Sequence, residues 1–244
     1  MTKKLLVSIV TITYNHEKYI KEALDSFLMQ ERNFDIEIVV CDDASTDNTQ
    51  KIIKSYIKKY PKIFNPILRT KNIGAVPNSI DALKHARGDK GYALSFHQVK
   101  VKSENNKREE SIFPSSIQSN KTTTEELLKH NYIQTNSVVY RRLEYGNIPF
   151  DILPLDWYLH LYHAQFGKIG FIEEVMSVYR VHSKGMWYES KKDINKIWRK
   201  HGTQHLLLYE ELLKLFGNNE KFKSIIMVNV NKMLSNIALL PDRP

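Results

Sequence analysis

Polar side chains that could bind a ligand follow two strand-like stretches near the start of the sequence. Tyr14 and Asn15 close the first stretch, and Asp42 and Asp43 close the second. A tyrosine ring offers a flat face for stacking a base, and a carboxylate can accept a hydrogen bond from a ring N–H or a ribose hydroxyl. Asn15, Asp42 and Asp43 are also residue types that cap a following helix. The pattern therefore predicts either a nucleotide site or capped helix starts.

A dinucleotide-binding dehydrogenase is disfavoured by the residues after the first apolar stretch. Its fold needs Gly-x-Gly-x-x-Gly there, so that the backbone can approach a pyrophosphate. This sequence instead has Thr13-Tyr14-Asn15-His16.

The elements that would position these residues alternate between strand and helix periods over the first 90 residues. Buried strands are predicted at 5–14, 36–41 and 64–69, and helices at 19–28, up to 60, and 77–85. This order is typical of right-handed βαβ units with a parallel sheet. Ligands of such sheets bind beyond the carboxyl ends of the strands.

The rest of the chain is less regular. Strands are predicted at 92–101, 133–141, 169–172 and 175–181, with a solvated loop at 102–110 and a polar connection at 111–121. A capping box in residues 122–126 predicts a helix to His130, and Pro154 begins an aromatic-rich helix that ends before Gly167. From about residue 191 the pattern predicts a helical hairpin broken at Gly217. It could pack on the domain, on a second copy of the chain, or on a membrane surface.

Four segments together resemble the family 2 glycosyltransferases of bacteria. They read VSIVTITYNHEKYIKEALDSFLMQ, IEIVVCDDASTDNTQKII, KNIGAVPNSIDALKHARGD and LDWYLHLYHAQFGKIGFIEEVMSVYRVHS, within residues 4–185. The resemblance implies an α/β GT-A fold, with a mainly parallel central sheet flanked by helices. We expect this domain to occupy residues 1–188, followed by a helical extension at 189–244.

The same resemblance implies an inverting transfer of a hexosyl or N-acetylhexosaminyl group from a nucleotide-sugar donor. The acceptor would be a glycan or lipid-linked saccharide in surface polysaccharide assembly. The donor would be held by residues at the strand ends, namely Thr13, Tyr14, Asn15, Asp42, Asp43 and Asn72. Asp156, in Leu-Asp-Trp, matches the family's catalytic base, and His182 matches a histidine that reaches the metal or diphosphate.

The chemistry makes these implied roles reasonable. A sugar hydroxyl is a poor nucleophile, so a carboxylate must accept its proton as the new bond forms. Asp156 lies in the first turn after Pro154, where the helix dipole favours a charged carboxylate. The alternative for Asp156 is a carboxylate at a helix N-terminus without a catalytic task. The alternative for His182 is an ordinary histidine at a strand end.

The sequence departs from the family pattern at one point. Members normally continue from a segment like Ala86-Arg87-Gly88 into a strand that ends in an Asp-x-Asp cluster, which holds Mn²⁺ or Mg²⁺. Here Asp89-Lys90 leads directly to Gly91, and a βα unit of roughly 25–35 residues is missing by this comparison. The segment could be omitted from the sequence or lost in a natural short variant, or the chain could be a non-catalytic relative.

Rival functions follow from that departure. One is a nucleotide-sugar-binding pseudoenzyme or scaffold of the same fold. A sugar nucleotidyltransferase is a weaker third interpretation, because its glycine-rich loop with Arg and Lys is not seen after the first strand.

Composition limits the partners and the compartment. The 244 residues carry a net charge of +9, which suits a solvated basic surface or attraction to anionic ligands and an acidic membrane face. No nucleic-acid-binding signature is visible, so no nucleic-acid partner is expected. With one cysteine, no signal peptide and no apolar run long enough to span a bilayer, the predicted location is the cytoplasm. Peripheral contact with the inner membrane face and a homodimer through the C-terminal helices are further expectations.

Overall fold

The computed structural model describes residues 6–88, 93–104, 109–115, 122–183 and 194–238. These residues divide into two compact units. The first comprises 6–88 and 142–150, and the second comprises 93–141 and 151–238.

The first unit is built on a three-stranded parallel sheet in the order β1-β2-β3, flanked by three helices. Its strands and helices are β1 (Leu6–Thr13), α1 (Ile20–Leu28), β2 (Asp35–Asp42), α2 (Thr49–Lys59), β3 (Phe64–Leu68) and α3 (Ala75–His85). Seven consecutive residues of β2 are buried, as expected for a parallel strand covered on both faces. The register places Thr13 beside Asp42 and Asp42 beside Leu68, so the strand ends that carry the candidate residues are adjacent.

Cys41 lies in the middle of this sheet with no exposed surface. Loss of solvation raises the pKa of its thiol to about 12. The thiol is therefore protonated and inaccessible in the folded unit.

The opposite end of the sheet is closed by a buried carboxylate. Ser8 Oγ donates to Glu37 Oε1 at 2.6 Å, and Arg87 Nε donates to Oε2 at 2.7 Å. Burial alone would raise the pKa of Glu37, but the hydrogen bonds from Ser8 and Arg87 outweigh it and hold the pKa below its usual value. These contacts fix the chain after α3 against the start of β1 and β2. Within the described ranges β1 pairs only with β2, so its other edge is open.

The second unit contains a mixed sheet around β4 (Leu94–Ser103). β7 (Ile169–Val181) pairs in parallel along the full length of β4. Two short strands pair antiparallel with its other edge, namely β5 (Ser111–Phe113) and β6 (Val138–Tyr140). A turn of 3-10 helix at Thr135–Ser137 leads directly into β6.

Four helices complete the second unit: α4 (Thr124–Lys129), α5 (Leu155–Ala164), α6 (Ile194–Phe216) and α7 (Glu220–Ala238). Eight of the ten residues of α5 are buried, so it is the central helix of the core. Trp157 Nε1 donates to the Leu127 carbonyl at 2.8 Å and ties α5 to α4. Asn229 Nδ2 donates to the Leu128 carbonyl at 2.8 Å and ties α7 to the same helix.

The predicted helical hairpin is confirmed, and so is the N-cap contact of the predicted capping box. The Thr123 hydroxyl accepts from the Glu126 N–H at 3.2 Å, and α6 and α7 are separated at Gly217. No described helix is both long and apolar enough to cross a bilayer.

Three predictions about the second unit are wrong. The strand expected at 133–141 is a 3-10 turn followed by three strand residues. The two strands expected at 169–172 and 175–181 form one strand, with an irregular register on β4 between His97 and Val99. The connection expected at 111–121 contains β5. The domain boundary predicted at 188 and 189 lies outside the described residues and stays a prediction.

Candidate functional site

In the first unit, the loops after β1 and β2 are fastened to each other by Asn15. Its backbone N–H donates to Ser45 Oγ at 2.9 Å, and its side-chain Oδ1 accepts from the Thr46 N–H at 2.8 Å. Asn15 and Ala44 both have positive φ, at 55° and 61°. Asn15 therefore does not cap α1, whose N-cap residue is Tyr19.

Asp42 is occupied by its own loop. It is fully buried, and Oδ1 accepts from the Ser45 N–H at 2.9 Å and from Gln50 Nε2 at 2.6 Å. Its Oδ2 accepts from the Ser45 hydroxyl. Gln50 also donates to the Arg69 carbonyl at 3.0 Å, so Asp42 links the loops after β2 and β3.

Asp43 fastens the loop between β3 and α3. Its Oδ1 accepts from the Ile73 N–H at 2.8 Å, and its Oδ2 accepts from the Gly74 N–H at 2.9 Å. Asn72 Nδ2 donates to the Asp43 carbonyl at 3.0 Å. Gly74 has φ 92°, which favours glycine there. Neither aspartate caps α2, whose N-cap is Asn48, so the helix-capping alternative is wrong for both.

Tyr14 is an exposed member of this group, with 45% of its surface accessible, and Asn72 is exposed as well. The preceding residue, Thr13, is buried, and its Oγ1 lies 3.1 Å from His16 Nδ1. The Asp43 N–H donates to the Thr13 carbonyl at 2.9 Å, which joins the two strand ends directly. The first unit thus gathers Thr13, Tyr14, Asn15, Asp42, Asp43 and Asn72 at one edge of its sheet. The exposed groups of this edge are the Tyr14 ring and the Asn72 side chain, whereas the Asp42 and Asp43 carboxylates are buried behind them.

Arg69 lies at the same edge, and the sequence pattern did not identify it as a site residue. Its backbone N–H donates to the Asp42 carbonyl at 3.0 Å, and its Nε donates to Asn78 Oδ1 at 3.0 Å. Its guanidinium also pairs with Asp81. Its position directly after β3 was the available signal, because carboxyl ends of parallel strands meet at one edge.

In the second unit, Asp156 lies in the first turn of α5 with both carboxylate oxygens engaged. The Trp157 N–H donates to Oδ1 at 2.9 Å, and Thr135 Oγ1 donates to Oδ2 at 2.6 Å. Asp156 as a whole residue is half-buried. The sequence pattern did not identify Thr135 as a site residue, because a strand was predicted where the 3-10 turn lies.

Two buried histidines belong to this helix itself. His160, one turn after Asp156, has no exposed surface, and its Nδ1 lies 2.6 Å from the Tyr140 hydroxyl. The His163 ring stacks on Tyr140 with centroids 4.4 Å apart. Burial lowers the pKa of His160 to about 4, despite the opposing attraction of Asp156. Burial, reinforced by His160, lowers the pKa of His163 to about 4. Both rings are uncharged at neutral pH.

His182 follows β7 directly and is half-buried. A hard divalent cation needs several oxygen ligands. Among the residues described, no group of three or more His, Cys, Asp or Glu could hold a metal ion, so these residues do not fit a Mn²⁺ or Mg²⁺ site. Asp89 lies outside them.

Comparison with known proteins points to one family. Residues 8–97 match the model of Glycosyl transferase family 2. The uncharacterized protein Rv1520 of Mycobacterium tuberculosis is 37% identical over 265 aligned positions, covering 97% of this chain and 76% of that protein. Abequosyltransferase RfbV of Salmonella typhimurium is 36% identical over 88 residues, which are 35% of this chain and 26% of the enzyme.

Solved structures agree on the fold. The mannosyltransferase PcManGT from Pyrobaculum calidifontis, in complex with GDP-Man and Mn²⁺, has a TM-score of 0.56 at 17% identity, covering 98% of this chain and 74% of that one. TarS of S. aureus, in complex with UDP-GlcNAc, has a TM-score of 0.54 at 19% identity, covering 86% and 66%. The protein therefore has the GT-A glycosyltransferase fold and belongs to glycosyl transferase family 2.

Proposed function

We propose that this protein is an inverting glycosyltransferase that moves a hexosyl or N-acetylhexosaminyl group from a nucleotide-sugar donor to a glycan or lipid-linked saccharide. Family membership supports sugar transfer. The named relative RfbV is an abequosyltransferase, and the solved neighbours are complexes with GDP-Man and UDP-GlcNAc. A role in surface polysaccharide assembly, a homodimer through α6 and α7, and cytoplasmic or peripheral membrane location stay predictions.

The donor site is proposed at the strand ends of the first unit. The exposed Tyr14 ring would stack the base. Asp43 would accept a hydrogen bond from the nucleoside through lone pairs that Ile73 and Gly74 do not use. Thr13, Asn15, Asp42 and Asn72 would act mainly by holding the loops that form this edge.

Asp156 is proposed as the base. The main observation that supports this mechanism is the geometry of its carboxylate, with one hydrogen bond to each oxygen. As the acceptor oxygen bonds to the anomeric carbon, the carboxylate takes the hydroxyl proton and the nucleotide diphosphate leaves with the electron pair of the broken bond. One displacement from the opposite face inverts the anomeric configuration. The hydrogen bonds from Thr135 and Trp157 orient the carboxylate for this step.

The mechanism is tested by Asp156→Asn. The amide keeps the shape of the side chain but cannot take a proton, so transfer should fall by about 100-fold or more. Nucleotide affinity, measured by calorimetry, should change less than about twofold, because this residue does not serve the donor site. Asp151→Asn makes the same change at an exposed position shortly before α5 and should leave transfer intact. Undiminished transfer by Asp156→Asn would remove this residue from the mechanism.

A second candidate function is nucleotide-sugar binding without turnover, and two observations favour it. The alignment with Rv1520 spans 265 positions, whereas 97% of this chain is about 237 residues, so about 28 positions of that relative have no counterpart here. This number matches the βα unit predicted to be missing between Lys90 and Gly91. In the part of the chain that is described, β1 also has an open edge, where another parallel strand could pair.

Titration with UDP, GDP and dTDP, with and without Mn²⁺, separates the two functions. Metal-enhanced binding together with turnover of a donor sugar supports the enzyme. Binding that is indifferent to metal, without turnover, supports the binding protein. The encoding DNA around Lys90 and Gly91 tells whether the missing unit is a natural loss.

A further inference from the structure

The contact between Thr135 and Asp156 joins two elements that are distant in sequence. Thr135 belongs to the 3-10 turn before β6, and Asp156 begins α5, 21 residues later. At 2.6 Å the hydroxyl hydrogen bond has the length typical of a neutral donor to a carboxylate. Hydrogen bonds to charged groups are the stronger class, so this contact can select one orientation of the side chain.

The donor is held rigidly. The Ser137 hydroxyl and the Ser137 N–H both donate to the Gln134 carbonyl, at 2.7 and 2.9 Å, and close the turn. Asn136 Nδ2 donates to the Val178 carbonyl at 3.1 Å and fastens the turn to β7. Threonine is also stiff about χ1 because it is β-branched. The Thr135 hydroxyl therefore has a defined position.

The acceptor is held from the opposite side. The Trp157 indole fixes the first turn of α5 to α4 through Leu127, and Tyr140 contacts the buried His160 ring one turn further along. The backbone at Asp156 is thus defined, but the rotation of its carboxylate is not. Trp157 N–H contacts only Oδ1, and a single donor leaves rotation about χ2 poorly determined. Thr135 supplies the second donor, on Oδ2.

We infer that Thr135 is a positioning residue for the base, which sets the orientation of the Asp156 carboxylate. This inference rests on the proposed function. With one lone pair of Oδ2 taken by Thr135 and one of Oδ1 taken by Trp157, the remaining lone pairs have fixed directions for the acceptor proton. A misplaced catalytic group loses rate more than affinity, because alignment matters in the transition state.

The test compares Thr135→Val with Thr135→Ser. Valine keeps the branched shape and removes the hydroxyl, whereas serine keeps the hydroxyl. We expect valine to lower kcat for sugar transfer by about 10-fold or more, with the donor KM changed less than about twofold. Serine should restore kcat to within about threefold of the unmodified protein. Thr203→Val, at an exposed position on α6, is the matched control and should leave kcat unchanged.

Crystal structures of the two variants provide a readout that is independent of activity. The Asp156 carboxylate should rotate away from its present orientation in Thr135→Val and keep it in Thr135→Ser. An unmodified protein that transfers no sugar contradicts the proposed function, and the variant structures still decide whether Thr135 orients Asp156. An active protein whose valine variant keeps full kcat, or an unrotated carboxylate in that variant, overturns the inference. Equal loss in both variants would indicate a structural role and also overturn it.

Discussion

The neighbouring residues Asp42 and Asp43 make different contacts, although one ends β2 and the other follows it directly. Asp42 is satisfied by its own loop and by Gln50. Asp43 instead reaches 30 residues along the chain to the backbone N–H groups of Ile73 and Gly74. A substitution at Asp43 therefore acts on a long-range loop contact.

Asp43→Ala should destabilise the first unit. The change leaves two backbone N–H groups without their acceptor, and the free energy of unfolding should fall by about 2 kcal/mol. Chemical denaturation measures this loss. Glu31→Ala, at an exposed position in the same unit, is the control and should change the midpoint little. An unaltered midpoint for Asp43→Ala would mean that solvent replaces the carboxylate without cost.

The sequence located the candidate residues but not their partners. Thr13, Asp42 and Asn72 could be grouped in advance because parallel strands end at one edge. The hydrogen bond between Asp43 and Gly74 has no signature in the local sequence, because it depends on how the loop between β3 and α3 folds back towards β2. Thr135 was hidden for a related reason: its role is visible only once the 3-10 turn meets α5.

At the scale of elements, periodicity predicted the first unit better than the second. Buried parallel strands such as β2 are uniformly apolar, and the helices between them have a clear apolar stripe. The segment 133–141 is also apolar enough for a strand. Its serine and asparagine side chains, however, donate to the backbone carbonyls of Gln134 and Val178, and this competition delays the start of the strand to Val138.

The two buried histidines of α5 predict an acid-sensitive second unit. The pKa values of His160 and His163 are lowered to about 4 from the value near 6.5 of an exposed histidine. The unfolded chain thus binds protons that the folded unit does not. Their contribution is fully present above about pH 6.5 and is lost as the pH falls through about 4, by about 3 kcal/mol at most for each.

Urea denaturation between about pH 7 and pH 4.5 measures this dependence. His163→Gln removes one of the titrating groups and should flatten the decline in unfolding free energy. His130→Gln, at an exposed position, should leave the decline as steep as before. A flat profile in the unmodified protein would show that the two rings are solvated and charged at low pH.

At the scale of the whole molecule, the family and the GT-A fold were predictable because several segments carry the pattern together. The edge of β1 that has no partner among the described strands was not predictable in detail. It depends on which strand is present to pair with it, and a long unpaired edge is a liability that proteins usually cover.

The single buried thiol makes the first unit observable on its own. Cys41 belongs to that unit, whereas all three tryptophans lie beyond residue 150, in the stretch assigned to the other unit. A disulfide reagent that reacts over a wide pH range should modify Cys41 only when its sheet opens, while indole fluorescence follows the second unit. As the pH is lowered, the fluorescence should change at a higher pH than the one at which the thiol becomes reactive. The unmodified chain thus carries one signal for each unit, thiol reactivity for the first and indole fluorescence for the second. Simultaneous changes in both signals would mean that the two units unfold together.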